Sequence, residues 1–227
     1  MKTLRAVLSA AVAICFKDVR SELRTRYTLN ALALFVMTTV ALVAFSSAGE
    51  VVSNGIAASM LWIILFFSAM ISVQRSFVSE EERGTSLLLS LHAPLLAIYI
   101  GKLLFNVLLT LMLYALASAA FFTFVSRIEL RSPLLFWVSI MIGGIATASA
   151  TTIIAAMIAK ARAKGALFPV LSFPAVLPLL FVGVETTYQA LSGVAFSEAR
   201  NSLQMLVAYT GSVVAISCMV FDVVWKE

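Results

Sequence analysis

Side chains that could carry covalent or metal chemistry are few in this sequence. It has one histidine, His92, and two cysteines, Cys15 and Cys218, which lie far apart along the chain. A metal site needs several ligands in one place, and a nucleophile needs a base beside it. No HExxH, GxSxG or CxxC spacing supplies either arrangement. We therefore predict that the chain is not an enzyme and binds no metal or cofactor directly.

A phosphate-binding loop for ATP is also absent from the sequence. Gly101 and Lys102 form a GK pair, but Leu103 follows them and the upstream glycine of a GxxxxGK[ST] loop is missing. The sequence therefore predicts that this chain cannot hydrolyse ATP by itself.

The polar stretch in the first half of the chain, residues 75–102, has the features of a contact segment. Four charged residues stand near its start, Gly84 lets the backbone turn, and Thr85 can cap a short helix that Pro94 does not allow to continue. Leucines form one apolar flank of that helix, so the segment suits insertion into a groove of a partner protein. A helix that only rests on lipid is the alternative. The predicted contact residues are Glu80, Glu81, Glu82, Arg83, Gly84, Thr85, Leu87, Leu88 and Leu91.

The overall composition of the chain indicates a membrane protein, whose helices must position residues 75–102. Hydrophobic residues make up 62% and charged residues 12% of the sequence, and the mean hydropathy is +1.04. A soluble domain has roughly a quarter of its residues charged. Six uncharged runs are each long enough to cross a hydrocarbon core of about 30 Å as a helix. They cover residues 27–49, 51–74, 103–126, 132–159, 165–184 and 201–221, which predicts an all-α polytopic membrane protein with six transmembrane helices.

The N-terminal segment, residues 1–26, is predicted to form an amphipathic helix outside the six-helix domain of residues 27–227. At 100° per residue, one face gathers apolar residues and the opposite face gathers cations. Such a helix fits the inner headgroup layer, with its cations toward anionic lipid. An uncleaved signal anchor or a frayed tail is the alternative. The apolar face comprises Leu4, Leu8, Ala11, Cys15, Val19 and Leu23, and the cationic face comprises Lys2, Lys17, Arg20 and Arg24.

The distribution of lysine and arginine predicts the orientation of the chain. With a cytoplasmic N-terminus, the cytoplasmic side holds all of the 16 Lys and Arg residues except Arg127, Arg131 and Arg200. This asymmetry fits the positive-inside rule. Both termini and residues 75–102 are therefore predicted to be cytoplasmic. The net charge of +5 then reflects topology and lipid contact, and nucleic-acid binding is not expected.

Three features of the predicted spans each have two interpretations. Gly143 and Gly144 let another helix approach closely, either within the chain or from a second copy. Prolines at 169, 174 and 178 bend the fifth span, either at a moving seam or as static kinks. Glu185 follows the fifth span, and residues 186–197 are predicted to form a short re-entrant or interfacial helix. Glu185 is then either a partner contact at the outer face or a solvated residue at the headgroup boundary.

Several segments resemble a known family in their order along the chain. SEEERGTSLLLSLHAPLLAIYIGKLL is similar to the loop after the second span in membrane subunits of ABC-2-type exporters. The wider set of segments resembles the CcmB (haem exporter protein B) family over essentially the whole chain. This set comprises KDVRSELRTRYTLNALALF, LWIILFFSAMISVQRSF, IYIGKLLFN, AKARAKGALFPVLSFPAVLPLLF and the final FDVVWKE.

The resemblance implies a permease subunit of the CcmABCD haem-trafficking ABC transporter in cytochrome c biogenesis, in the bacterial inner membrane. It implies a separate cytoplasmic ATPase, CcmA, which binds ATP, together with CcmC, CcmD and two copies of this chain. In that family ATP hydrolysis is linked to release of the haem-loaded chaperone CcmE. This sequence lacks the tryptophan-rich segment and paired histidines of a haem-holding member, so we expect partner subunits to handle haem.

Two other transporter classes share parts of this pattern. A generic ABC-2 exporter of a lipid or polysaccharide has the same kind of cytoplasmic loop but needs a substrate path within the chain dimer. A six-span energy-coupling-factor vitamin-binding subunit has a similar size but needs a substrate pocket. Loss of all c-type cytochromes after gene deletion, with other exports intact, would select the cytochrome c interpretation.

Overall fold

The computed structural model describes residues 2–47, 50–82, 91, 93–125, 127–159 and 164–226. In this part of the chain the backbone forms long helices and no strand, which confirms the predicted all-α class. The helices are α1 (Lys2–Thr25), α2 (Tyr27–Ser46), α3 (Asn54–Glu82), α4 (Leu95–Phe124), α5 (Pro133–Ala159), α6 (Lys164–Ser192) and α7 (Arg200–Lys226).

Helices α2 to α7 are each long and apolar enough to cross a membrane, as the six predicted spans require. Two boundaries differ from the prediction by eight residues, and the others differ by at most three. The third span begins at Leu95 rather than at residue 103, and the fifth ends at Ser192 rather than at residue 184. In both cases a charged residue, Lys102 or Glu185, lies inside the helix instead of ending it. The predicted re-entrant helix over residues 186–197 is therefore wrong, because α6 continues through most of this stretch.

A single residue in the left-handed conformation separates α1 from α2. Arg26 has a φ of 51° and a ψ of −13°. This left-handed conformation is unusual for a residue that carries a Cβ atom, and it interrupts the right-handed helix. The N–H of Arg26 donates to the Glu22 carbonyl at 3.0 Å, and its own carbonyl accepts from the Asn30 N–H at 3.0 Å. The chain thus passes from α1 to α2 without a loop.

Helix α5 lies at the centre of the bundle. It packs against α3, α4, α6 and α7, and 72% of the residues in its apolar segment are buried. Helices α2 and α7 are peripheral, since 17% of the residues in the apolar segment of each are buried. Large exposed apolar side chains such as Phe45, Met205 and Met219 cover their outer faces. Such faces suit contact with lipid or with another membrane chain.

Trp62 on α3 fills the space between α3, α5 and α6. Its side chain is buried, and its Nε1–H donates to Thr187 Oγ1 on α6 at 2.8 Å. The indole lies so close to Gly143 and Gly183 that a Cβ atom on either glycine would be 2.4 Å from a ring carbon. Gly144 makes a similar approach to side chains of α4. Side chains from other helices of the same chain thus occupy the space next to both glycines, while the close approach of another helix backbone stays a prediction.

Buried side-chain hydrogen bonds join α4 to α5. The Nδ2–H of Asn106 donates to Thr152 Oγ1 at 2.9 Å, and the Tyr114 hydroxyl donates to Thr147 Oγ1 at 3.1 Å. All four side chains are inaccessible to solvent. In membranes, such interhelical bonds stabilise packing by about 0.6–2 kcal/mol each.

The three prolines of the fifth span, Pro169, Pro174 and Pro178, lie inside α6, which continues through all of them. The hydroxyl of Tyr209 on α7 donates to the Ala175 carbonyl, next to Pro174. This bond joins α7 to the part of α6 in which proline weakens the backbone ladder.

Further hydrogen bonds join the helices at the end of the bundle that holds the starts of α3, α5 and α7. The Nδ2–H of Asn54 donates to Ser192 Oγ at 3.3 Å. The Ser132 N–H donates to the Ala190 carbonyl at 2.9 Å, and the Ser132 hydroxyl donates to the Val194 carbonyl at 2.8 Å. We call this the far end of the bundle, and the opposite end, against which α1 packs, the α1 end.

Candidate coupling site

The predicted contact residues are divided between the end of α3 and residues outside the described part of the chain. Glu80, Glu81 and Glu82 form the last turn of α3. Residues 83–90, which include Arg83, Gly84, Thr85, Leu87 and Leu88, lie outside the described residues. Leu91 is helical and 72% exposed. The short helix predicted from Thr85 to Leu91 therefore stays a prediction.

Helix α3 extends well beyond its apolar segment. The uncharged apolar segment of its sequence ends at Gln74, but the helix continues through Arg75 to Glu82, which at 1.5 Å per residue adds about 12 Å of helix. This extension carries the three glutamates away from the apolar layer.

Pro94 directly precedes α4, whereas the sequence predicted a loop as far as residue 102. Its φ of −58° and ψ of 141° are non-helical, and it precedes the first helical residue, Leu95. Its carbonyl accepts from the N–H groups of Ala97 and Ile98 at 2.9 and 3.1 Å, which satisfies two donors of the first turn. Residues 83–93 therefore connect the ends of two membrane-spanning helices directly.

An ion pair attaches α1 to the first turns of α4. Lys102 is 2% exposed, and its Nζ lies 3.1 Å from Asp18 Oδ2. At the preceding residue, Gly101, a Cβ atom would lie 2.7 Å from the Ala11 carbonyl oxygen and 2.8 Å from Ile14 Cβ. The backbones of α1 and α4 thus meet at a glycine, and opposite charges meet one residue later.

Helix α1 has three distinct faces. Ala11 and Ile14 are buried against the bundle, and Cys15 and Val19 beside them are partly buried. Of the predicted apolar face, Leu8 and Leu23 instead belong to an exposed apolar stripe, and Leu4 lies outside the described side chains. This stripe comprises Leu8, Val12, Phe16 and Leu23, which are 50–66% exposed. The exposed cations of the described part of α1 are Arg5, Lys17, Arg20 and Arg24. A helix with packed, apolar and cationic faces suits a position along a membrane surface.

The environment of Cys15 on α1 gives a testable consequence. Burial, with a smaller contribution from the Asp18 carboxylate, raises the pKa of the Cys15 thiol. Because the thiolate is the nucleophile, a raised pKa lowers the reactive fraction at any given pH. We expect maleimide to label Cys15 more slowly than an exposed cysteine at pH 8, with a half-maximal rate at a higher pH. Labelling can be followed by mass spectrometry in a Cys218→Ser background.

The matched control for this labelling is Ser9→Cys with Cys15→Ser, because Ser9 is exposed on the same helix. We expect its pH–rate profile to follow an ordinary thiol. Identical profiles for the two cysteines would contradict the packed position of Cys15.

A ring contact joins α4 to α7 at the α1 end. The rings of Tyr99 and Phe221 are 4.7 Å apart between centroids, and both side chains are buried. Tyr99 precedes Lys102 by one turn, so the start of α4 contacts α1 on one side and α7 on another. Sequence reasoning missed both contacts of this region.

Glu185 lies on α6 toward the far end and is therefore not brought near residues 80–91. It is exposed, and its Oε1 accepts from Gln189 Nε2 at 2.8 Å. Gln189 Nε2 also lies 3.3 Å from Ser202 Oγ on α7. These contacts show a residue that helps to connect α6 and α7, while its contact with a partner stays a prediction.

Metal binding finds no support in the described residues, where no three His, Cys, Asp or Glu side chains come together. Both cysteines are free thiols. His92 lies outside this part of the chain.

Comparison with known proteins gives matches of nearly full length. The family model described as CcmB protein matches residues 9–223, a range that extends from α1 to α7 and includes residues 80–91. The chain is also 28% identical over 218 residues to heme exporter protein B of Rhodobacter capsulatus, with 94% of each chain covered.

Proposed function

We propose that a separate ATPase binds residues 80–91 of this chain and thereby moves its helices. The chain belongs to the CcmB family and is a haem-transport permease subunit of cytochrome c biogenesis. The observation that carries this proposal is that α3 continues to Glu82, beyond the uncharged segment of its sequence. The last turn of this extension contains three glutamates, and the guanidinium of Arg83, the next residue, could pair with carboxylates of a soluble partner. Leu87, Leu88 and Leu91 supply the apolar flank for a groove on that partner.

The second step is transmission from residues 80–91 to the bundle. Residues 83–93 lie directly between α3 and α4, and Pro94 ends any helix within them. A partner that holds this segment in both nucleotide states can therefore tilt α3 and α4 when its own domains close. Because Asp18 and Gly101 attach α1 to α4, α1 moves with them.

The orientation of the chain is part of the same proposal. We place both termini and residues 80–91 in the cytoplasm and the chain in the bacterial inner membrane. The lysine and arginine distribution supports this orientation. The cationic and apolar faces of α1 support a position in the inner headgroup layer, where anionic lipid attracts cations.

The partners follow from the family and remain proposals for this chain. CcmA is the ATPase that binds ATP, CcmC and CcmD are membrane partners, and ATP hydrolysis drives release of haem-loaded CcmE. The chain itself binds no cofactor, and partner subunits handle haem. Two copies of the chain form the permease, and the exposed apolar faces of α2 and α7 leave surface for a second copy and for membrane partners.

The experiment that tests the coupling proposal combines Gly84→Pro with Leu87→Asp. Proline opposes the predicted turn and short helix, and aspartate places a charge on the apolar flank. We expect the ATPase to copurify at least about tenfold less, as loss of a few kcal/mol of contact energy implies, and c-type cytochromes to fall with it. Membrane insertion, measured as chain in the membrane fraction, should not change.

The matched control is Val51→Asp, which adds the same charge to an exposed loop residue before α3, at the far end. We expect ATPase copurification and cytochrome levels to be unchanged in this variant. Normal copurification and undiminished c-type cytochromes in the double variant would refute the proposal. So would cysteine labelling that reaches residues 80–91 from outside the cell alone.

A further inference from the structure

A groove of about 550 Å³ lies between α5 and α7 near the far end. Its walls are apolar, with Val138 and Ile142 from α5 and Leu203 and Val207 from α7. Phe196, from the turn before α7, also lines it. Neither the ion pair of Lys102 nor residues 80–91 belong to this groove, so the coupling site does not account for it.

The groove has one charged side chain, Arg200, the first residue of α7. Ser197 and Gln204 add a hydroxyl and an amide beside it. Arg200 is exposed, and the ion pairs found among the described residues, such as Arg131 with Glu129, do not include it. The groove thus combines an apolar length with hydrogen-bond donors and a positive charge at one end.

The depth of the groove in the membrane follows from its neighbours. Arg200 starts the apolar segment of α7, and Trp137 near the start of α5 is 41% exposed. Tryptophan is enriched at membrane–water interfaces, where arginine also places its charge. The charged end of the groove therefore lies at the level of the lipid headgroups, and the apolar part lies at the level of the acyl chains.

We propose that this groove binds one phospholipid, with the phosphodiester on Arg200 and one acyl chain against Val138, Ile142, Leu203 and Val207. A guanidinium forms paired, charge-assisted hydrogen bonds with phosphate oxygens. The Ser197 hydroxyl and the Gln204 amide are further donors for the same headgroup. With the orientation proposed above, the lipid belongs to the outer leaflet.

The lining and charge of the groove favour a lipid over other occupants. Its apolar lining offers contact to one acyl chain, and Arg200 lies beside it for the headgroup. Its lining has no histidine, cysteine, methionine or tyrosine that could ligate iron. An apolar groove with a cationic end matches the amphipathic character and the charge of a phospholipid.

The test is native mass spectrometry of the full chain, purified with its copurifying subunits, delipidated in mild detergent and then titrated with phosphatidylglycerol. We expect the unmodified protein to retain one phospholipid per chain. Arg200→Gln should weaken this binding about tenfold or more, as loss of a charge-assisted hydrogen bond implies. Ala208→Trp, which fills the groove and keeps the charge, should weaken it as well, since Ala208 lines the groove.

The matched control is Arg127→Gln, because Arg127 is an exposed far-end arginine that does not line the groove. We expect this variant to bind phosphatidylglycerol like the unmodified protein. Equal binding by all variants would overturn the proposal. Loss of a copurifying membrane protein from Arg200→Gln, with lipid binding unchanged, would also overturn it and would assign the groove to a partner helix. Arg200 is exposed, so its variant tests the proposal even if Ala208→Trp fails to fold.

Discussion

The Asp18→Asn variant is expected to be less stable than the unmodified chain by about 3–5 kcal/mol in its free energy of unfolding. Lys102 is 2% exposed, and Asp18 Oδ2 lies 3.1 Å from its Nζ. Asparagine removes a negative charge that lies 3.1 Å from this buried ammonium group. The Asp18 side chain is 11% exposed, so little water is available as a substitute. The measurement is unfolding of the purified protein in mixed micelles by titration with dodecyl sulfate.

Two further variants separate loss of the ion pair from general damage to α1. Arg20→Gln removes an exposed cation from the same helix and is expected to change stability by less than about 0.5 kcal/mol. Asp18→Asn combined with Lys102→Met removes both charges, and we expect it to regain most of the lost stability. A single Asp18→Asn variant as stable as the unmodified chain would show that the pair does not hold α1 in place.

The Trp62→Ala variant is expected to lose about 3–5 kcal/mol of stability, the usual cost of truncating a buried large aromatic side chain. The indole is 1% exposed and contacts two glycines on neighbouring helices. Its removal leaves a cavity between α3, α5 and α6, and it also removes the donor to Thr187 Oγ1. The same dodecyl sulfate titration measures this loss.

The matched control for Trp62 is Trp137→Ala, since Trp137 is 41% exposed on the surface of α5. We expect this variant to lose at most about 1 kcal/mol, because truncation at the surface leaves no enclosed cavity. Similar losses for the two tryptophans would contradict the central position of Trp62.

The fold class and the number of spans could be predicted because most charged residues lie in the connections. Between them the apolar runs are long enough to cross a membrane, where a lipid-exposed backbone can satisfy its hydrogen bonds only as a helix or a closed barrel. The contact at Gly143 and Gly144 followed from the same reasoning, since small residues in a span allow close helix approach. The identity of the side chains that face these glycines could be learned only from the structure. They are the indole of Trp62 and side chains of α4.

The third and fifth spans show where the local pattern was insufficient. Ending a span at each charged residue assumes that burial of a charge is too costly. The carboxylate of Asp18, 84 residues earlier in the chain, lowers the cost of burying Lys102. A prediction from neighbouring residues alone cannot detect a pair of charges so far apart in sequence. Glu185 continues α6 because its position is exposed and Gln189, one turn later, donates to it. A glutamate followed by a glutamine at i+4 was the available signal.

The coupling site could be predicted because its residues are close together in sequence. The contact between α1 and the start of α4 was not predicted. The acids, glycine and leucines of residues 80–91 are close in sequence, so turn and helix chemistry alone suggests a contact segment. The structure adds the extension of α3 to Glu82 and the start of α4 after Pro94. The contact of Gly101 with Ala11 joins segments that are distant in sequence. The opposite charges of Asp18 and Lys102 were the sequence feature that indicated a contact between α1 and α4.

The hydrogen bonds of the far end hold three helices to one another at the end of the bundle opposite the α1 end. Asn54, Ser132 and their acceptors hold the starts of α3 and α5 to the end of α6 with directional bonds. Helix α4 has 30 residues and is therefore about 45 Å long. If the far end stays fixed while a partner moves the α1 end, a rotation of about 5° would displace the start of α4 by about 4 Å, and we expect the far-end hydrogen bonds to remain intact during such a movement.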